Sequence, residues 1–193
     1  VPIDTSKRTE SDKIRLIYHT TPHRGLAILV PVFVELAKKH SDITLDVYSS
    51  FNIYGWGERD KEYEQIFDIC RSHPNIKYHG AVTNEEIREA LVNSDIYAYP
   101  SIWKETSCLS LIEAMSAGLL CVHPNLAALA DTSGGMTSMY QYLSWCITLT
   151  CFQEVGLFCC AVYQSQVVAR CTNTTTIPYV AFMQVCSSRY SYI

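Results

Sequence analysis

No run of basic residues occurs in the chain. Fifteen Lys and Arg stand against 19 Asp and Glu, a net charge of −4 over 193 residues, so the electrostatic footprint of a nucleic-acid binder is missing. No signal-peptide pattern opens it either. Val1 to Lys13 is polar and carries both signs of charge, which leads to the expectation of a cytoplasmic protein, peripheral to a membrane at most. No cluster of His, Cys, Asp or Glu has metal-ligand spacing, so no metal and no other cofactor is expected.

Charge is nearly absent from one end. Residues 136–193 contain three charged residues (Glu154, Arg170, Arg189) and six cysteines, whereas residues 1–135 contain 31 of the 34 charges and only Cys70, Cys108 and Cys121. Leu143 to Tyr163 is apolar over about the length of a membrane span, but Gln153 and Glu154 in its middle argue against one. The six cysteines lack zinc-like paired spacing, and a disulfide framework is out of place in a cytosolic chain. Two readings of 140–193 stay open: an out-of-frame or otherwise non-native translation, motivated by the abrupt change in composition, and a genuine β-rich extension, favoured by its Val, Thr and Tyr content.

What is present before that point alternates strand and helix. After a polar linker, 1–12, Lys13 to His19 reads as a strand. A turn with Pro22 and Gly25 follows, then a helix from Leu26 to Lys39 with a kink expected at Pro31. Ile43 to Ser49 is a second strand, Gly55-Trp56-Gly57 a loop, and Glu58 to His73 a surface helix. Asn75 to His79 is a third strand, and Thr83 with Glu86 forms a capping box that starts a helix running to Val92. Asp95 to Tyr99 and Leu119 to His123 are two further strands. The pattern predicts an α/β domain over 13–139 with a parallel sheet covered by helices.

The stretch Pro100 to Gly118, PSIWKETSCLSLIEAMSAG, carries the chemistry. Thr106, Ser107 and Cys108 are expected at a helix start, where free N–H groups and the helix dipole favour an anion such as phosphate. Glu113 is flanked by Leu111, Ile112, Ala114 and Met115, and a carboxylate in a helix interior needs hydrogen-bond donors. The plain alternative is an ordinary glutamate reaching water. Eight helical residues would separate Glu105 from Glu113 by up to about 12 Å, wider than the roughly 5–9.5 Å of paired glycosidase carboxylates. Two contacts on one extended ligand fit better, and a nucleotide offers both hydroxyls and phosphates.

The segment E-T-S-C-L-S-L-I-E-A-M-S-A-G resembles the E-x(7)-E signature of retaining glycosyltransferases of the GT-B fold (family four, group 1). The likeness is strongest over 100–118, fair over 20–26 and loose elsewhere between 13 and 135. It implies that the chain is the C-terminal, donor-binding half of such an enzyme, with a Rossmann-like sheet covered by helices on both faces. It further implies that Glu105 contacts the donor sugar, that Glu113 binds the ribose, and that Thr106, Ser107, Cys108 and Leu109 hold the diphosphate through their backbone. Arg24-Gly25 falls where the family has Lys-Gly, so Arg24 is expected to neutralise the diphosphate, with Gly25 beside it. The family's earlier arginine falls on His19. Gly80 and Val82 match a G-x-V that touches the base, and Ala127-Ala128 stands where two glycines are usual.

On that resemblance the partner is a nucleoside-diphosphate sugar, used without a metal. The acceptor half would be a missing N-terminal domain or a partner chain, and the fragment alone is expected to be inactive. A rival expectation is a non-catalytic nucleotide-binding or interaction module of the same fold. A phosphoacceptor receiver domain fits poorly, because His19-Thr20-Thr21 stands where it needs acidic residues.

Overall fold

A computed structural model of the chain describes residues 3–142, all within the compact unit Val1–Leu149. The cysteine-rich stretch beyond Tyr142, and both readings of it, lie outside the described residues.

Six parallel strands form one sheet: β1 (Ile14–His19), β2 (Ile43–Tyr48), β3 (Ile76–Tyr78), β4 (Ile96–Ala98), β5 (Leu120–Asn125) and β6 (Ser138–Gln141). Their spatial order is β3-β2-β1-β4-β5-β6. The chain winds outward from β1 in one direction, then returns to β4 and winds outward in the other. The crevice where the order reverses, at the carboxyl ends of β1 and β4, is the place where such sheets bind ligands. Parallel strands need both faces covered, and Leu16, Ile17, Leu45, Val47 and Ile96 are all buried to within 1%.

The helices are α1 (Leu26–Lys39), α2 (Glu64–Ser72), α3 (Asn84–Val92), α4 (Leu109–Ser116) and α5 (Leu129–Ser133). Helix α3 begins with the capping box expected from Thr83 and Glu86. Helix α4 ends in a Schellman motif, Gly118 N–H donating to Met115 O and Leu119 N–H to Ala114 O, with Gly118 in the left-handed region. Helix α1 runs uninterrupted through Pro31, which lies on its exposed side. The missing N–H of Pro31 leaves the carbonyl of Ala27, itself an exposed residue, without the usual helical donor.

Three expectations change. The helix expected over 58–73 is a 3-10 segment at Gly57–Tyr63 followed by α2. Asp60 is the reason: its carboxylate accepts from Ser50 Oγ at 2.5 Å and Phe51 N at 2.8 Å, which ties the first turns back to the end of β2. The polar segment before β1 is exposed but anchored, since Thr9 N and Oγ1 donate to Asn93 Oδ1 at 3.0 and 2.8 Å and Arg8 pairs with Asp95. Lastly, β6 crosses residue 139, so the sheet continues past the point where the sequence pattern fades; His123, fully buried, holds it by bonding Thr137 Oγ1 at 2.7 Å.

Gly25 ties the two halves together. Its φ is +124°, and a Cβ there would stand 2.1 Å from the Pro100 carbonyl oxygen, inside hard contact. Gly55, with φ +73°, has open space where its Cβ would be. Gly25→Ala is therefore expected to lower unfolding free energy by about 3 kcal/mol or more, and Gly55→Ala by about 1 kcal/mol from backbone strain alone. Urea denaturation of the two variants checks this; equal losses would contradict the close packing at Gly25.

Candidate functional site

The loop after β1 and the loop after β4 meet at the reversal point. Gly25 closes the first loop and caps α1, with Ile28 N–H and Leu29 N–H both donating to its carbonyl at 3.0 Å. Because the Pro100 carbonyl fills the space beside it, Arg24 is carried to the mouth of the second loop, where it pairs with Glu105. Arg24 and Glu105 side chains are 22% and 5% exposed, so the pair is screened little by solvent. Tyr99 O–H also donates to Glu105 Oε1 at 2.6 Å. Burial opposes the Arg24 charge, but Tyr99 and Glu105 outweigh it and favour the cation. Burial above all, then Cys108 and Glu105, holds the Tyr99 hydroxyl protonated well past its ordinary range. The result is one cation and one anion side by side, the anion four residues before the start of α4.

Thr106 and Ser107 are exposed in the loop before α4 and Cys108 is its N-cap, buried to 1%. Its thiol, held neutral mainly by burial, lies 3.3 Å from Ser110 Oγ, which accepts from Tyr97 O–H at 2.9 Å. The helix therefore starts at Leu109, just past Thr106, Ser107 and Cys108, which the sequence pattern places at its start. No residue of 105–108 caps it with a side chain, and the N–H groups of its first turn have no acceptor within the helix. Leu109 is 72% exposed.

Glu113 is not in the helix interior. It is half-exposed one turn along α4 and its carboxylate has no hydrogen bond or ion pair to any described residue, so the donors expected for a buried carboxylate are not required. Because 105–108 is a loop, the rise of a continuous helix does not set the Glu105–Glu113 separation. Gly80 (φ +69°) and the half-exposed Val82 follow β3 at the sheet edge. They sit two strands from β1, apart from the Arg24–Glu105 pair. Ala127 adopts φ +51°, the left-handed conformation that makes glycine the easier residue there.

His19 ends β1 under this crevice. It is 7% exposed, its ring lies 4.9 Å from that of Tyr97, and its Nε2 is buried without a hydrogen-bond partner. Burial lowers its pKa to about 4, so it is a neutral group at the place where the resemblance leads one to look for a cation. A second feature had no signal in the sequence: His23 stacks on Phe51 at 5.2 Å and meets Trp103 edge-on at 4.8 Å. This ring stack joins the loops after β1, β2 and β4.

The family described as Glycosyl transferases group 1 matches residues 15–140, a span that holds the whole of this crevice. The chain belongs to that family. Relatives of this group 1 chain include the phosphatidylinositol N-acetylglucosaminyltransferase GPI3 subunit of Saccharomyces cerevisiae strain YJM789, 25% identical over 142 residues, covering 72% of this chain and 30% of the relative. A phosphatidylinositol N-acetylglucosaminyltransferase component from Homo sapiens is 24% identical over 128 residues, covering 66% of this chain and 25% of the relative. The chain thus spans under a third of these relatives. Among solved structures, the pneumococcal O-GlcNAc transferase GtfA in complex with UDP and GlcNAc superposes with a TM-score of 0.62 at 20% identity, covering 84% of this chain and 31% of that one. WaaG, a glycosyltransferase of lipopolysaccharide biosynthesis, gives 0.59 at 14% identity, covering 83% and 40%. At these identities the group 1 chain shares their GT-B-type fold. Among the described residues no helix is long and apolar enough to cross a membrane.

The buried neutral His19 sets a pH dependence. The unfolded chain takes up the proton near pH 6.5 and the folded one only near 4, so stability present above 6.5 is lost as pH falls through that window. For His19 the loss amounts to about 3 kcal/mol. Chemical denaturation between pH 7 and 4 should show a shallower decline for His19→Asn than for the wild type; parallel declines would mean that His19 is not held neutral.

Proposed function

We propose that the crevice at the carboxyl ends of β1 and β4 binds a nucleoside-diphosphate sugar and serves as the donor half of a retaining glycosyltransferase. The observation that carries this reading is the meeting of Arg24, Glu105 and the amino end of α4 at the topological reversal point of a group 1 domain. Arg24 and the α4 N–H groups would face the diphosphate and stabilise charge on the departing phosphate. Thr106, Ser107, Cys108 and Leu109 would contribute backbone donors beside Gly25. The half-exposed, unpaired Glu113 is free to take a ribose hydroxyl pair. Glu105, already oriented by Tyr99, would accept from hydroxyls of the sugar. Gly80 and Val82 would meet the base through their backbone.

In this reading Arg24 exchanges part of its bond to Glu105 for phosphate oxygens, so the ion pair positions both groups before the donor arrives. No metal is assigned a role, and affinity is expected to be unchanged when EDTA is added to a calorimetric titration; a loss of binding on chelation would show that the charge is carried otherwise.

Transfer needs the opposite wall of the cleft, on the same polypeptide or on a second chain. GtfA is also described in a complex with GtfB, which makes a partner chain a reasonable supplier. Assayed alone, residues 1–193 are expected to bind donor weakly without measurable turnover. The named relatives are transferases of phosphatidylinositol, and a phosphatidyl-myo-inositol mannosyltransferase of Mycolicibacterium smegmatis is 28% identical over 118 residues, covering 59% of this chain and 28% of that protein. An inositol phospholipid is therefore the acceptor class to test first.

The deciding measurement is ligand-observed NMR or calorimetry of the chain with UDP-, GDP- and ADP-sugars beside Glu113→Ala. One nucleotide is expected to bind and to lose at least about tenfold in affinity in the variant, as hydrogen bonds to a charged group imply. A folded chain that binds none of the three would leave the rival reading, a non-catalytic module of this fold.

A further inference from the structure

Among the described residues Arg59 is the one arginine in no ion pair; Arg8, Arg15, Arg24, Arg71 and Arg88 each meet a carboxylate. Its guanidinium carbon lies 4.5 Å from the centre of the Phe51 ring and 5.8 Å from that of Trp56. Phe51 is a fixed support: it is 2% exposed, its N–H is held by Asp60, and its ring stacks on His23 with 14° between the planes. A guanidinium laid on aromatic faces keeps its in-plane N–H donors directed outward, arranged for two oxygens of a phosphate.

The same guanidinium borders a depression of about 490 Å³ lined by Gly55, Trp56, Glu58 and Arg59. The Glu58 carboxylate on its rim is paired with Lys61 at 2.6 Å. Its position links it to the crevice. The two successive contacts put Arg59 within about 10 Å of the His23 ring, next to Arg24 in sequence and structure. Burial first, then the fields of both Arg24 and Arg59, disfavour the His23 cation, as two positive groups flanking one imidazole require.

We propose that Arg59, laid on Phe51 beside Trp56, binds a phosphate of the ligand held at the β1–β4 crevice. The link to that ligand rests on the donor-site reading; the anion binding itself does not. A phosphate can come from the diphosphate of the donor or from the head group of a phospholipid acceptor, and the chemistry Arg59 recognises is common to both.

The test uses the full 193-residue chain labelled with ¹⁵N. The Trp56 indole N–H, assigned with Trp56→Phe, is followed while pyrophosphate and, separately, inositol 1-phosphate are added at constant ionic strength. At least one probe is expected to shift it saturably. Arg59→Gln should weaken that binding about tenfold or more, and Arg59→Lys should recover only part, because an ammonium lacks the planar fork. Arg59 is exposed, so both variants are expected to fold, and circular dichroism checks this. Pyrophosphate binding lost in Arg59→Gln assigns the donor as source; inositol phosphate binding lost assigns the acceptor. Absence of any saturable shift, or equal affinities in wild type and Arg59→Gln, overturns the proposal. Nucleotide-sugar binding that is lost in Glu113→Ala and untouched in Arg59→Gln overturns it too, while leaving the donor reading intact. Anion binding that depends on Arg59 in a chain that binds no nucleotide sugar supports the anion site and removes the donor reading instead.

Discussion

The approach of the Gly25 Cα to the Pro100 carbonyl is the constraint on which the site depends. Two loops, one after β1 and one after β4, have to cross at the reversal point of the sheet, and they cross closely enough that no side chain fits between them. A positive φ at Gly25 turns the chain into α1 within one residue of Arg24. Any bulkier residue would push the loops apart and with them Arg24 and Glu105, which are 81 residues apart in sequence.

Once that crossing is made, the electrostatics follow. A buried carboxylate is tolerated because it receives both the Arg24 cation and the Tyr99 hydroxyl. Of the titratable side chains in the strands and loop that form the crevice, His19, Tyr97 and Cys108 are held in their neutral forms chiefly by burial. The crevice thus presents one compensated ion pair where the loops after β1 and β4 meet, beside neutral side chains. Such an arrangement has low self-repulsion, because the Arg24 charge is compensated by Glu105. Arg59 lies one ring stack away, so positive charge is supplied from a loop that follows a different strand.

Most of the strands and helices were legible because they obey local rules. The apolar runs of β1 and β2, the Thr83–Glu86 capping box and the Gly118 terminator depend on neighbours within four or five residues. The signature segment was legible for another reason: two glutamates and a helix start in fixed order are a one-dimensional pattern. The misreadings have nonlocal causes. Glu113 looked interior because its sequence neighbours are apolar, but the face of α4 that carries it is partly open while Leu111 and Ala114 turn inward. The helix expected from Glu58 starts late because Asp60 is drawn to Ser50 and Phe51. Strand β6 was missed because pairing with β5, not its own composition, makes it a strand.

By itself the sequence determined the α/β alternation and the likeness to the family, and it singled out Arg24, Gly25, Glu105 and Glu113 as candidates, since these readings rest on residue types at short spacing. Only the tertiary structure decided that Arg24 and Glu105 are partners, that the Glu113 carboxylate is unpaired among the described residues, and that His23, Phe51, Trp103 and Arg59 join in one cluster. The reason is physical: side-chain pairing and exposure are set by which loops the sheet order brings to the same edge, and that order, with β1 lying between β2 and β4, is a property of the packed chain and of no single segment in it.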